Sequence, residues 1–453
     1  MNGKPFAARR LWGVLSLFLL PLPQAWAGRE LAVASASPGT KHVSIAGKPV
    51  EITWGGYFKL RGYLSWPDDD SLYSAVGTGT YEDGVAEARL KSTLFFGKSA
   101  YFDAQYEMIY AGGETRRKNS ELADILPEPF KGFFLTRTRG EDTRFMDLTG
   151  TIHEDESSVW YHGMDRLYLA LLPDWGSFSI GRQAVTWGNG YIFNPMDLVN
   201  PFPPTDIERD YKVGSDMILT QINLGASRDL QLVYVPRRDP LTGDVSWDQS
   251  TLAGKGHFAF GTTEFDLMAA ADYGDLVLGF GSRGYLGNTA WRFDATWTFL
   301  EEEAQGGGFL SLVTNLDYSW VWWGKNFYGY LEFYYNGIGV DNYREALTDP
   351  ALLARIARGE IYTLGRFYLS GYGSVELHPL FTIYLSVINN LEDPSGVIQP
   401  RAVWSVTQNL DLTFGGNIFY GGKGSEYGGI VVPGSAYVYI PPASAYLWMS
   451  YYF

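Results

Sequence analysis

Cysteine is absent from all 453 residues, which excludes disulfides, thiolate metal sites and covalent attachment of c-type haem. Long apolar runs are missing too. Past residue 27 no stretch approaches the roughly 18 uninterrupted apolar residues that a membrane-spanning helix needs. Basic residues are outnumbered 35 to 50, for a formal net charge of −15, and an acidic chain argues against nucleic acid as a partner. That balance does not set ion selectivity, because only charges lining a pore do so. Histidine is scarce: His42, His153, His162, His257 and His378 are the full set. No two lie at metal-ligand spacing, and no Ser or Asp joins one in a nucleophile motif. The sequence therefore reads as non-enzymatic, with no metal and no cofactor to assign.

Aromatics are plentiful instead, with 15 Trp, 31 Tyr and 27 Phe beside 53 Gly. Such a level fits the aromatic girdles at the two membrane interfaces of a β-barrel. Residues 1–27 read as a secretory signal: Lys4, Arg9 and Arg10 form a basic start, 11–20 an apolar stretch, and Ala25-Trp26-Ala27 a small-residue cleavage site. Residues 28–50 have no clear period and read as a periplasmic lead-in, too short for a plug domain. Residues 51–453 remain as the folded unit.

That unit alternates. In 54–66, Trp54, Phe58, Leu60, Leu64 and Trp66 share one face of a strand, while Tyr57, Lys59, Arg61, Tyr63 and Ser65 share the other. In 85–96, Glu87, Arg89, Lys91 and Thr93 oppose Ala88, Leu90, Leu94 and Phe96. Asp103, Gln105 and Glu107 oppose Phe102, Ala104, Tyr106 and Met108, and Arg292 and Asp294 oppose Trp291, Phe293 and Trp297. Segments 309–320, 380–388 and 410–420 repeat the pattern. A soluble sandwich also alternates, but here the connections differ in length. Short turns fall at 97–99, 173–176, 226–228, 261–263, 287–288, 321–322, 378–379 and 407–409. Long connections fall at 67–84, 112–157, 188–215, 237–253, 337–362 and 421–442, with shorter ones at 273–274, 301–308 and 389–396. Short and long mostly take turns, as in barrels with short periplasmic turns and long extracellular loops. The count is about eighteen strands, with weak alternation at 177–187, 254–261 and 363–376 leaving about sixteen open.

Lipid cannot satisfy backbone N–H and C=O groups, so a spanning sheet must close on itself. The expected fold is all-β: a transmembrane, antiparallel, up-and-down barrel in the outer membrane of a Gram-negative bacterium, both termini periplasmic. Barrels of ~16–18 strands are wide enough for an aqueous channel. The charged parity must face that lumen, since those groups are prohibitive in hydrocarbon. Lys59, Arg61, Glu87, Arg89, Lys91, Asp103, Glu107, Arg292, Asp294, Glu332 and Arg401 are the expected pore-lining charges.

The strand ending at Phe453 places Ala445, Leu447, Met449, Tyr451 and Phe453 on one parity. It resembles the closing strand of bacterial outer-membrane barrels, and the resemblance implies that Tyr451 and Phe453 belong to a signal read by the barrel-assembly machinery. Gly181-Arg182-Gln183, Trp187-Gly188-Asn189-Gly190 and the Asn/Pro-rich 193–204 resemble a broad family of outer-membrane porin-like barrels, largely uncharacterised. Members carry a Gly-Arg-Gln strand, a Trp-Gly turn and an Asn-Pro-rich loop. His378-Pro379-Leu380, Asn389-Asn390-Leu391, Asp393, Ser395 and Ser425-Glu426-Tyr427-Gly428 add to the resemblance. It implies a pore or transport role and supplies no catalytic residues.

Loop 188–215 is the third long connection, and in general porins the third loop narrows the pore. The expectation is that Pro195, Pro201, Pro203 and Pro204 stiffen it and that Asp197, Asp206, Glu208, Arg209, Asp210 and Lys212 set a field across a constriction. The alternative is an external rim loop. In 112–157, Arg116, Arg117, Lys118, Arg137, Arg139 and Arg144 mix with acids. That loop either covers the mouth, contacts lipopolysaccharide or is simply solvated. Asp68-Asp69-Asp70 is a weak cation candidate, since Ca²⁺ needs ~6–8 arranged oxygens. Within 337–362, Asp349 as N-cap, Pro350 at N1 and Gly359 at C′ predict a helix over 350–358, to which no function is attached. The leading function is diffusion of small hydrophilic solutes or ions. A substrate-specific transporter or exporter, and a structural barrel sheathing a partner such as a periplasmic cytochrome, are the competing readings. Membrane lipid and the solute are the other expected partners. A homo-oligomer fits the class, though no interface is visible.

Overall fold

The computed structural model describes residues 39–45, 48–125, 143–199, 212–300, 307–347, 349–432 and 437–453. The expected signal segment lies outside the described residues. So do Asp206, Glu208, Arg209 and Asp210 of the expected constriction, and Arg137 and Arg139 of the charged loop.

Eighteen antiparallel strands close into a barrel. They are β1 (Lys48–Trp66), β2 (Tyr81–Phe96), β3 (Ala100–Gly113), β4 (Ser158–Leu171), β5 (Gly176–Gln183), β6 (Ser215–Asn223), β7 (Arg228–Val235), β8 (Thr251–Phe260) and β9 (Thr263–Asp272). The ring continues with β10 (Asp275–Leu286), β11 (Thr289–Phe299), β12 (Phe309–Trp322), β13 (Lys325–Asn336), β14 (Phe367–His378), β15 (Phe381–Asn390), β16 (Ser395–Thr407), β17 (Leu410–Tyr420) and β18 (Ala443–Tyr452). Each strand pairs with the next, and β18 returns to β1 from Tyr57↔Tyr452 to Trp66↔Ala443. Phe453 extends the seam by exchanging two backbone hydrogen bonds with Gly56 (2.8 and 3.1 Å), and its ring rests 5.3 Å from that of Phe58.

Burial is inverted relative to a water-soluble protein. Trp54, Phe58, Leu60, Leu64 and Trp66 are exposed, while Tyr57, Lys59, Arg61, Tyr63 and Ser65 on the other parity of β1 are buried. The same inversion runs round the ring, with Leu278, Trp297, Leu316, Leu331, Leu385 and Leu447 outside. A closed sheet with an apolar exterior satisfies its backbone internally and offers hydrocarbon the only surface that hydrocarbon tolerates. No helix among the described residues is long and apolar enough to cross a membrane.

Sixteen strands are excluded, and most boundaries fall within a few residues of expectation. The turn expected at 321–322 lies at Trp323–Gly324, both at positive φ (+48° and +67°). A two-residue hairpin turn of this kind needs two left-handed residues, and Gly supplies the second at no steric cost. β5 stops at Gln183, so the third long connection begins at 184.

Two further strands complete the sheet. Gly39–Ile45, inside the stretch that reads as an aperiodic lead-in, pairs with the start of β1 from Gly39↔Trp54 to Ile45↔Lys48. Thr149–Glu154, inside the expected charged loop, pairs with the upper part of β4. That loop also carries α1 (Glu114–Ile125). Arg116 and Lys118, two of its basic residues, are engaged with Glu154 (2.6 Å) and Glu121 (3.0 Å). Asp70 is held by Lys423 at 2.6 Å.

Candidate functional site: the lumen and the loop that enters it

On the β1–β4 side the lumen wall is a mesh of ion pairs. Arg61 donates to Glu87 (2.6 Å), whose other oxygen accepts from the Tyr57 hydroxyl (2.5 Å). Arg89 reaches Glu107 (2.6 Å) and Asp165 (2.8 Å), and Arg166 also holds Asp165 (2.6 Å). Thr93 donates to Asp103. Lys59 and Lys91 approach the Tyr57 ring, 4.6 and 5.5 Å from its centre. Arg89 stands directly opposite Glu107, and Arg61 is two residues off register from Glu87, so the alternation that faces these groups inward also pairs them.

Opposite, the wall is covered by chain. After Gln183 the backbone leaves the sheet and packs against the inner faces of β6–β15. Trp187 and Met196 are fully buried among Met217, Val233, Met268 and Val277, and the Trp187 indole donates to Gln231 at 2.7 Å. Asp294 accepts from the backbone N–H and the side-chain amide of Asn189 (2.5 and 2.7 Å). Glu332 accepts three successive backbone N–H groups, from Tyr191 (2.6 Å), Ile192 (2.9 Å) and Phe193 (2.9 Å), and a fourth bond from Asn315 (3.1 Å). A buried carboxylate is tolerable only with such a donor set. The Tyr191 ring stacks on Tyr330 at 4.4 Å, and Phe193 stacks on Tyr334 at 4.3 Å. Arg292 lies over the Tyr191 ring (4.6 Å) and pairs with Asp317, which also accepts the Tyr191 hydroxyl (2.7 Å).

The glycines of Trp187-Gly188-Asn189-Gly190 allow this close approach. A Cβ on Gly188 would sit 1.9 Å from the Asn194 side chain, and one on Gly190 would sit 1.8 Å from the Phe193 carbonyl. Asp197, near the middle of the loop, forms an ion pair with Lys212 near its end, both buried.

Of the expected lumen charges, Lys59, Arg61, Arg89, Asp103, Glu107, Asp294 and Glu332 are buried on the inner parity. Glu87, Lys91, Arg292 and Arg401 are half-buried there, and Arg401 lies over the Tyr384 ring at 4.5 Å. Asp165, Arg166, Arg182, Asp216 and Asp317 are ion-paired groups outside the expected set of lumen charges, with Arg182 read only as part of its Gly-Arg-Gln motif. Asp165 and Arg166 sit beside the register shift that faces Gln105/Tyr106 of β3, where a β-bulge breaks the period-two signal. Arg182 lies on the parity of exposed Ile180 yet is itself buried, held by Asp216 (2.8 Å) and the Met146 carbonyl (2.5 Å). Met146 returns its N–H to Asp216. The segment before Thr149–Glu154 therefore shields an outward-facing charge pair where β5 and β6 are short.

In fold the chain is similar to the crystal structure of a BenF-like porin from Pseudomonas fluorescens Pf-5. The two share 10% identity with a TM-score of 0.50, over 89% of this chain and 98% of that one. Acinetobacter baumannii OccAB2 is similar to the same degree, with 9% identity, a TM-score of 0.51, and 88% and 98% covered. The fold is that of a porin. No family model matches the chain, and no curated protein matches it in sequence.

Proposed function

We propose that this porin-fold barrel is an outer-membrane channel for diffusion of small hydrophilic solutes or ions, narrowed by the 184–214 connection. The observation that carries this reading is the asymmetric lumen: a charged, ion-paired wall on β1–β4 facing a loop whose own backbone is held by Asp294 and Glu332. Charges of both signs beside water give modest ion selectivity, and the loop sets the size limit. In this reading Lys59, Arg61, Glu87, Arg89, Lys91, Asp103, Glu107, Arg292 and Arg401 line the path. Asp197 and Lys212 brace the constriction, and Asp206, Glu208, Arg209 and Asp210 add to the field across it. Residues 1–27 direct export, 28–50 lie in the periplasm, and Tyr451 and Phe453 serve assembly, with the long connections facing outward.

The sheath reading is disfavoured because the lumen already holds its own loop. The deciding measurement is single-channel conductance of the refolded protein in a planar bilayer, with selectivity from the reversal potential. Stable steps establish the channel. Deleting 195–210 raises their size if the loop is the constriction, and unchanged steps refute the constriction.

A further inference from the structure

The long connections do not stand apart at the barrel mouth. One contiguous apolar cluster joins Leu72 and Tyr73 of the β1–β2 connection, Tyr81 at the start of β2, Leu122 of α1, and Ile430 and Tyr439 of the β17–β18 connection. The same cluster includes Phe309 at the top of β12 and the residues of the β13–β14 connection. That last connection carries α2 (Tyr343–Ala346) and α3 (Pro350–Arg358). In α3, Asp349 caps the N-terminus through Ala351 and Leu352 N–H (2.8 and 3.2 Å), and Gly359 ends it at φ +72°.

A helix resting on a rim keeps one wet face. In α3, Ala351, Leu352, Leu353, Arg355 and Ile356 are all buried, and at ~100° per residue they cover more than half of its circumference. α3 is therefore packed among the connections that gather at the mouth. Phe309 shares the inward parity of Ser311, Val313 and Asn315, and the Arg355 guanidinium sits 5.2 Å from its ring centre.

The far attachment is ionic. Arg355 pairs with Asp275 on the tight β9–β10 turn and lies 3.6 Å from Glu360, and Arg358 lies 3.4 Å from Glu360. Tyr273 in that turn is held at φ +51°, an uncommon conformation for a bulky residue. Its ring is flanked by Arg358 (4.2 Å) and Arg237 (4.6 Å). Tyr273 and Gly274 (φ +88°) are the two left-handed residues of a two-residue hairpin turn, as at Trp323–Gly324, so the turn presents the Tyr273 ring to Arg358 in a fixed place.

We propose that α3 and its flanking connection form a lid on the channel mouth, latched to the β9–β10 turn by Arg355 and Arg358, and that the latch must release before solutes pass. This rests on the channel reading. An apolar seat on one side and an ion-paired latch on the other give an element with two discrete arrangements, seated and latched or released.

The absence of native cysteine makes the test clean. Asp275→Cys and Arg355→Cys are combined, and the folded barrel is bridged with a bifunctional maleimide. Mean current through the bridged channel is expected to fall about tenfold or more against the unbridged double variant, as when a two-state equilibrium is held in one state. A second variant replaces 343–360 with a short Gly/Ser linker and is expected to conduct continuously, with larger mean current than the parent. Heat-modifiability on a gel verifies folding of each. Bridged and lid-less channels that conduct like the parent overturn the lid and leave the channel standing. Folded barrels of all three kinds that pass no current overturn the channel reading and the lid with it.

Discussion

The two halves of the lumen use the same side chains for different work. On β1–β4, Glu87, Glu107 and Asp165 meet guanidinium groups of neighbouring strands. On β11 and β13, Asp294 and Glu332 meet backbone N–H groups of a loop that has entered the barrel. The first arrangement pairs charge with charge along the wall, and in the proposed channel these are the groups that act on passing ions. The second consumes the carboxylates as anchors, because their lone pairs are directed at amide N–H groups. An inward-facing carboxylate thus signals a lumen without saying whether it acts on the solute or on the protein.

The sharpest way to break the comparison is Glu332→Ala. Three consecutive loop amides lose their acceptor, at a cost of about 1–3 kcal/mol for each buried N–H left unsatisfied. The loop should detach from the wall, with a lower midpoint in thermal or denaturant unfolding and larger, noisier single-channel steps. Unchanged steps would mean that stacking of Tyr191 and Phe193 holds the loop alone.

Arg89→Met should act in the other register. Glu107 loses that guanidinium and Asp165 keeps Arg166, at a cost of about 1–3 kcal/mol. Step size should change little while the reversal potential moves toward cation selectivity. A large rise in conductance with no change of selectivity would refute the division of labour.

What the sequence discloses here follows from the range of each interaction. Alternation is local, so the strands of β1, β2 and β11 are readable from their own residues. So is α3, whose Asp349, Pro350 and Gly359 are contiguous with it. The destination of the inward loop is not readable, since Glu332 and the Tyr191 amide are 141 residues apart in sequence. Thr149–Glu154 is hidden because it is largely exposed and lacks an apolar parity. The seam strand Gly39–Ile45 takes its register from β1 rather than from any pattern of its own. The quoted motifs prove to be nodes: Trp187–Gly190 meets the wall, while Asn390, Asp393, Ser395 and Glu426 meet one another.

That second node carries the contrast above the rim and supports the finest prediction. Glu426 is buried in the β17–β18 connection and, among the described residues, pairs with no cation. Its oxygens accept from Leu364 N–H (2.6 Å), the Tyr368 hydroxyl (2.5 Å) and Asn390 (2.7 Å), with Asp393, Tyr343 and Tyr427 as the other titratable neighbours. Burial, which the hydrogen bonds only partly offset, pushes its carboxyl up to about 7 from an ordinary 4.5. A carboxyl raised in the assembled cap binds its proton more tightly there than when the loops are apart. The assembled cap is therefore favoured fully below about 4.5 and loses that advantage as pH rises through about 7. Mean current should rise between pH 5 and pH 8 in the parent, working points that bracket the titration. Glu426→Gln, which keeps an acceptor but cannot titrate, should flatten this rise while leaving the step size of open channels alone. A rise as steep in Glu426→Gln as in the parent would assign the titration to another group, and a fall with pH would reverse the sign of the coupling between this carboxyl and the closed cap.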